Sequence, residues 1–237
     1  MKLGLFGYGK MGKAIEQIAE KQGIEIVWRI RQADTPTPAL LRSADVVIEF
    51  TRPEVAFDNV MQCLRAGLPV VSGTTGWLER LPEAQKFCLE NGGALLWSSN
   101  FSVGVNLFFA LNQRLAQLMA NRPEYAASLT ETHHIHKLDA PSGTALTLAK
   151  DLIQNADRYT GWSLQPETPN PNEIPITAIR EGEIPGTHFV RWESPADEII
   201  IEHRAHSRVG FAAGAVLAAQ WIADKQGVFE MNDVLSL

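Results

Sequence analysis

The chain has 237 residues, 45% of them hydrophobic and 20% charged, with a formal net charge of −6. That balance excludes a disordered chain and supplies enough apolar material for one large or two modest domains. No basic block rises from the acidic background, which argues against a nucleic-acid partner.

In chain order, "KLGLFG" predicts a short buried strand, an opening too short and too soon broken by glycine for a secretory leader. "GYGKMG" is a glycine turn. Met11, Ala14, Ile15, Ile18 and Ala19 then repeat at the spacing of one helical face, and Gly23 stops that helix. "IEIVWRI" and "ADVVIEF" predict two more strands, separated by a Pro-Thr loop. "EVAFDNVMQCLRAG" predicts a helix, "LPVVSGTTG" a strand and loop, "PEAQKFCLENGG" a helix, and "ALLWSSNFSVG" a strand and loop. The strands are continuously apolar and alternate with helices, which predicts a doubly wound parallel α/β sheet covered on both faces. Cys63 and Cys88 are too few and too far apart for a disulfide framework or a zinc site, and are expected as reduced thiols of a cytoplasmic protein.

After about Gly104 the pattern changes. "VNLFFALNQRLAQLMA" predicts a long helix, "EYAASLTET" a strand and "TALTLAKDLIQNA" a helix. The segment 157–175 carries four prolines and is expected as a surface loop. "ITAIREGEIPGTHFVRWES" and "DEIIIEHRAHS" predict strands, expected to be antiparallel. The tail from Val209 returns to helix. Its apolar run, Gly210–Ala223, is shorter than the ~20 residues of a membrane span, so a buried helix and no membrane partner are expected. The pattern leaves open which domain this helix joins.

Gly7, Tyr8, Gly9, Lys10, Met11 and Gly12 form G-x-G-x-x-G between a strand and a helix. The first glycine permits the tight turn, the second admits a pyrophosphate, and the third lets helix and strand pack closely. Glycine turns also occur without nucleotides, but here the strand–turn–helix context is present. Near the end of the second strand stand Arg29 and Arg31, with no carboxylate until Asp34. A carboxylate there would hold the ribose hydroxyls of NADH, whereas arginine suits a 2′-phosphate, so the cofactor is expected to be NADPH or NADH, with NADPH favoured through Arg31.

Three of the six histidines stand together in "ETHHIHKLDAPSGTA", residues 131–145. His134 and His136, even with Asp139 as a third ligand, are too few for a closed metal site, and no metal is expected. Mere packing would explain one histidine better than three beside a lysine. Acid–base chemistry fits more naturally. Hydride addition to an unsaturated carbon leaves a neighbouring atom in need of a proton, and an unperturbed imidazole titrates near ~6.5. Ser142, Gly143 and Thr144 open the next helix. Ser142 suits an N-cap, and the helix's open N–H groups with Lys137 suit a carboxylate.

This histidine–lysine segment closely resembles the signature of the dihydrodipicolinate reductase family. "GYGKMG", "EFTRPE", "SGTTG", "SSNFSVGVN", "REGEIPGTH" and "IEHRAHSRVGFAAGAV" resemble further parts of it, so the likeness runs along nearly the whole chain. The resemblance implies a Rossmann-like doubly wound domain, residues 1–103 with 209–237, which binds the dinucleotide. It implies a second α+β domain with a mixed sheet, residues 104–208, for substrate and for assembly into a homotetramer. It makes His133 and Lys137 catalytic and gives His134, Gly143 and Thr144 to substrate binding. Gly73, Thr74, Thr75, Ser98, Ser99, Asn100 and Phe101 join the glycine turn around the dinucleotide. The implied reaction takes a small cyclic dicarboxylate, 4-hydroxy-tetrahydrodipicolinate, to tetrahydrodipicolinate with loss of water, in lysine and diaminopimelate biosynthesis. Family members often carry an acidic residue where Arg31 stands, and the segment between the second and third strands is short here. His136 receives no catalytic role, and His188, His203 and His206, in strand-like segments of the second domain, are left between structural and substrate-rim roles. A related two-domain dehydrogenase of amino-acid metabolism would share only the glycine turn, and a non-catalytic dinucleotide sensor need not keep Lys137 or the Gly143–Thr144 pocket.

Overall fold

The computed structural model describes residues 1–31, 36–165, 170–207 and 209–237. Asp34, part of the Pro-Thr loop, residues 166–169 of the proline-rich segment, and Arg208 lie outside the described residues. The chain divides into two compact units, Met1–Val103 with Val209–Leu237, and Gly104–Arg208.

In the first unit, β1 (Lys2–Phe6), α1 (Lys10–Lys21), β2 (Glu25–Ile30), a short α2 (Pro38–Leu41), β3 (Val46–Glu49), α3 (Pro53–Arg65), β4 (Val70–Ser72), α4 (Leu81–Glu90) and β5 (Ala94–Trp97) alternate as the sequence predicts. In the second unit follow α5 (Val103–Met119), β6 (Ala126–His133), α6 (Gly143–Asn155), β7 (Gly161–Leu164), β8 (Glu173–Arg180), β9 (Thr187–Glu193) and β10 (Glu198–Arg204). The chain then returns to the first unit with α7 (Val209–Ile222), β11 (Gly227–Phe229) and α8 (Met231–Leu235).

The first sheet is ordered β11-β5-β4-β3-β1-β2, and every pairing in it is parallel. Its strands are apolar on both faces because both faces are covered. Leu3, Leu5, Ile48, Val71 and Leu96 pack with Ile15 and Ala19 of α1 and with Ala212, Ala215 and Val216 of α7. Phe6, Val47, Val70 and Leu95 pack with Phe57, Val60 and Leu64 of α3 and Ala84 and Cys88 of α4. Each such aliphatic side chain withdrawn from water contributes ~1.5–3 kcal/mol before conformational entropy is subtracted. The order reverses beside β1, with β2 on one side and β3 on the other, so a crevice opens at the carboxyl ends of β1 and β3. Cys63 and Cys88 are buried and unbridged.

The second sheet is ordered β10-β9-β6-β8-β7. Along β6, Ala127 and Leu129 face a core shared with Phe108, Leu115 and Met119 of α5 and Leu148 and Leu152 of α6. Three expectations are corrected. The proline-rich segment contains β7 and the start of β8, because Trp162 and Leu164 align with Ile174 and Ile176 in a parallel ladder. β8 runs parallel to β6, and only the β6–β9 and β9–β10 pairings are antiparallel. The tail holds a strand as well as helix, since β11 extends the first sheet beside β5.

Candidate active site

In the first unit the glycine turn lies at the end of β1. Gly7 has φ +91°, and a Cβ there would lie 1.9 Å from the carbonyl oxygen of Phe50, so this position requires glycine. A Cβ at Gly12 would lie 2.2 Å from the carbonyl oxygen of Gly7, which is the close helix–strand approach expected of the third glycine. Around Gly9 a Cβ would meet nothing within 4 Å. The turn is therefore tight inside and open outside, with the N-terminus of the 12-residue α1 behind it, and it fits a pyrophosphate.

A cavity of about 550 Å³ adjoins the turn, lined among others by Gly7, Tyr8, Gly9, Arg31, Thr51 and Arg52. Of the two arginines singled out near the end of β2, Arg29 is engaged by Glu16, which also accepts from the Tyr8 hydroxyl. Arg31 lines the cavity instead, with its guanidinium carbon 5.5 Å from the Tyr8 ring centre. Arg52, from "EFTRPE", was not singled out in the sequence.

The loops after β3 and β4 are held by Glu49, a fully buried carboxylate. It accepts from Ser72 Oγ at 2.6 Å, Thr74 Oγ1 at 2.8 Å and Thr51 N at 2.9 Å, and also from the Thr51 hydroxyl. Thr74 and Phe101 are themselves buried, and Phe101 packs edge-on against Phe50 at 5.5 Å. Their side chains shape the loops around Gly73, Thr75, Ser99 and Asn100. A Cβ at Gly214 of α7 would lie 1.7 Å from the Phe101 carbonyl oxygen, so the small residues of α7 permit direct packing on this loop.

In the second unit the site begins where the core face of β6 turns polar. Ala127 and Leu129 on that face are followed at the same two-residue period by Glu131 and His133. The register places His188 of β9 opposite Glu131 and Arg180 of β8 opposite His133. Glu131 is 0% exposed. Its two oxygens each lie 3.1 Å from Ser142 N, and Oε1 accepts from Arg180 Nη2 at 3.0 Å. Glu131 Oε2 stands 3.4 Å from His133 Nδ1 and 3.6 Å from His188 Nε2. Burial alone would raise the Glu131 carboxyl pKa, but His188, Ser142 and Arg180 overcome it and hold it at about 2.

His133 behaves differently from an unperturbed imidazole. Burial lowers its pKa to about 4; Glu131 opposes that shift, while His188, Lys137 and Arg180 add to it. Its Nδ1 is fully buried against Glu131, and its Nε2 edge faces Gly186, where a Cβ would approach to 3.0 Å. Gly186 has φ +151°, so two independent reasons require glycine in "IPGTH".

Ser142 caps the 13-residue α6 by accepting from Ala145 N at 3.2 Å. Gly143 is exposed, with open space where a Cβ would stand, and Thr144 is half-buried beside it. By helix geometry their N–H groups have no intrahelical acceptor and point out of the helix start. Lys137 Nζ binds both oxygens of Asp139. The main chain of His134 is fixed to Ile184 O, and its Nδ1 is buried without a partner. His136 stands on the exposed rim, 3.3 Å from Glu183. His203 stands opposite His188 across the β9–β10 ladder and 5.9 Å from Phe108, at the margin of the cluster, and His206 is exposed.

Glu131, His133 and His188 have ligand atoms within 4.8 Å of one another, the spacing of a metal site. The Glu131 oxygens, however, already take Arg180 and Ser142 N–H, and an adjacent guanidinium opposes a divalent cation. The His134–His136–Asp139 set weighed from the sequence does not converge as a three-ligand group among the described residues. Glu131, Arg180 and Gly186 are not singled out by sequence reasoning, which leaves His188 between a structural and a substrate-rim role.

The family described as dihydrodipicolinate reductase, N-terminus, matches residues 1–101, and that described as dihydrodipicolinate reductase, C-terminus, matches residues 104–235. The 4-hydroxy-tetrahydrodipicolinate reductase of Christiangramia forsetii is 44% identical over 236 residues, covering 100% of this chain and 98% of its own. The enzyme of the same name from Laribacter hongkongensis is 32% identical, covering 97% of this chain and 95% of its own. The dipicolinate-bound dihydrodipicolinate reductase from Paenisporosarcina sp. TG-14 superposes with a TM-score of 0.79 at 21% identity, over 97% of each chain. At that identity the likeness speaks for the fold.

Proposed function

The chain belongs to the dihydrodipicolinate reductase family, and from that premise we propose how its residues carry the reaction. It is an NAD(P)H-dependent oxidoreductase that reduces 4-hydroxy-tetrahydrodipicolinate to tetrahydrodipicolinate with loss of water, in lysine and diaminopimelate biosynthesis. The carrying observation is that His133 and the start of α6, a proton donor and an anion pocket, share the single carboxylate of Glu131. A sensor without catalysis has no use for that arrangement.

A reduced nicotinamide, when bound, supplies the hydride. Gly7–Gly12 and the Gly73–Thr75 and Ser98–Phe101 loops hold the dinucleotide. Arg31, with Arg52 lining the same cavity, suits the 2′-phosphate of NADPH, which supports that cofactor over NADH. In the second unit, the N–H groups of Gly143 and Thr144 hold one substrate carboxylate, and His134 contacts the substrate. Lys137 exchanges Asp139 for the ligand's negative charge. His133 is neutral in the unliganded protein at pH 7; a dianion beside it raises its proton affinity, so the imidazole takes a proton as the substrate arrives. Water leaves first, the C4 hydroxyl with a proton from the adjacent carbon, giving a ring C=C conjugated to the C=N. Hydride then adds at C4, His133 protonates the adjacent carbon, and the groups around the carboxylates stabilise the electron-rich ring. His136 is left outside the chemistry.

The reading includes a homotetramer. The sheet face turned away from α5 and α6 carries Thr130, Thr132, Ile179 and Ile200, a surface suited to self-association. It also includes a cytoplasmic location, consistent with two unbridged thiols. Among the described residues no helix is long and apolar enough to cross a membrane. The test supplies freshly generated 4-hydroxy-tetrahydrodipicolinate and follows NADPH oxidation and product mass, with and without a chelator. One reduced product per NADPH, unaffected by chelation, is expected. Substrate-independent oxidation or none would reject the reading.

A further inference from the structure

The Glu131 carboxylate lies beneath the imidazole of His133 and behind the first turn of α6, and the sequence assigns it nothing. Its position follows from register: it faces His188 across the β6–β9 ladder, and Arg180 approaches from β8. A buried carboxylate lacking partners would be neutral or expelled. This one is ionised, because a guanidinium and a backbone N–H meet it at 3.0 and 3.1 Å. Arg180 is itself anchored, donating from Nη2 to Asp139 O at 2.6 Å and from Nε to Lys137 O at 3.3 Å. The same guanidinium thus ties the Lys137–Asp139 loop to the carboxylate.

We propose that Glu131 is a positioning residue: fixed by Arg180, it holds the His133 ring and the Ser142 end of the anion pocket in one geometry, so that proton donor and carboxylate pocket move as a unit. The inference rests on the proposed reaction for its kinetic consequences, but not for its structural ones. Glu131 and Ser142 also flank His188, whose Nε2 lies 3.1 Å from Ser142 Oγ. This is no nucleophilic triad, since hydroxyl and carboxylate address the same ring nitrogen and Ser142 Oγ accepts from Ala145 N. The charged groups facing His133 are Glu131 on its own strand, Arg180 on β8, His188 on β9, and Lys137 on the following loop. Three of these oppose protonation, and Glu131 alone favours it. Removing its charge therefore moves His133 protonation to lower pH.

The experiment compares wild type, E131Q and E131D by kcat, KM and their pH dependence. It also follows the His133 imidazole by NMR, assigned with His133→Gln, and pyridine-2,6-dicarboxylate binding by calorimetry. E131Q is expected to lose about 10²-fold in kcat/KM, the scale for removing a group that orients a functional imidazole. Its alkaline limb and its imidazole titration should both shift to lower pH, and dicarboxylate binding should weaken. E131D, which keeps the charge, should regain at least about tenfold of the lost kcat/KM. Should E131Q fail to fold because Arg180 is left unpaired, E131Q/R180M removes both charges. The losses in kcat/KM and dicarboxylate binding are expected again, with a smaller titration shift because a charge opposing His133 protonation is removed as well. Unchanged kcat/KM and dicarboxylate binding in whichever variant folds, or an unchanged imidazole titration in E131Q, would overturn the proposal. If the wild type itself does not turn over the substrate, the reaction assignment fails. The imidazole titration and dicarboxylate affinity then still decide the role of Glu131.

Discussion

Lys137 Nζ lies 2.7 Å from Asp139 Oδ2 and 2.8 Å from Oδ1, so the ammonium proposed to meet the substrate is already engaged. Asp139 is largely exposed, and exposed pairs contribute ~0–1 kcal/mol to stability. Asp139→Asn should leave the melting temperature nearly unchanged. It should lower KM for the dicarboxylate roughly 3–10-fold by removing a competing anion. Steady-state kinetics with a parallel melt checks this, and a raised KM would show that Asp139 holds Lys137 in its working position.

Arg31 stands beside Tyr8 at the cavity that adjoins the glycine turn, while Arg29 is engaged by Glu16. A charge-assisted contact to a 2′-phosphate is worth ~1.5–3 kcal/mol. Arg31→Glu should therefore move the NADPH/NADH ratio of kcat/KM about 10–100-fold toward NADH. An unchanged ratio would move phosphate recognition elsewhere, with Arg52 as the next residue to replace.

Asp151 on α6 is buried against α5. Gln113 donates to its Oδ1 at 2.9 Å, but its Oδ2 and the nearby Asn112 Oδ1 lack hydrogen-bond partners. Burial raises its pKa, with Gln113, Asn112 and Lys150 opposing. A carboxyl whose folded pKa lies above its unfolded value stabilises in its protonated form, and that contribution is lost as pH rises through the folded pKa. Asp151→Asn keeps an uncharged side chain at every pH and should raise the melting temperature by ~2–4 °C near pH 7, about 1 kcal/mol. The gain should shrink toward pH 4. Equal gains at both pH values would contradict the assignment.

His133 titrates at about 4 in the folded protein and near ~6.5 when unfolded. Between those values the unfolded chain binds more protons, so His133 makes stability fall as pH drops from ~6.5 to about 4. Glu131, held at about 2, adds a second loss at still lower pH. Denaturant titrations of the wild type and His133→Gln at pH 7 and pH 4.5 should show a smaller acid loss in the variant. An identical loss would mean that His133 is not buried neutral.

Much of this was legible in local pattern. The alternation of apolar strands and helices to Gly104, the glycine turn, and the cap at Ser142 depend on residues a few positions apart, where periodicity and turn chemistry are decisive. What stayed hidden depends on register or on weak patterns. Glu131 stood in plain view beside His133, but Arg180 is 49 positions away and meets it only through the parallel β6–β8 ladder. His188 likewise becomes a site residue only through the β6–β9 pairing. β7 was masked by the surrounding prolines, and β11 is three residues long and half-buried, too short for periodicity to show. The proton affinity of His133 was misjudged because burial is a property of the folded chain.

The most direct measurement is the turnover number of His133→Gln with generated substrate and saturating NADPH, beside a melt showing that the variant is folded. A loss of ~10²–10⁴-fold is predicted, the scale of losing a general acid. Turnover within a few-fold of wild type would contradict the assignment of the proton to His133.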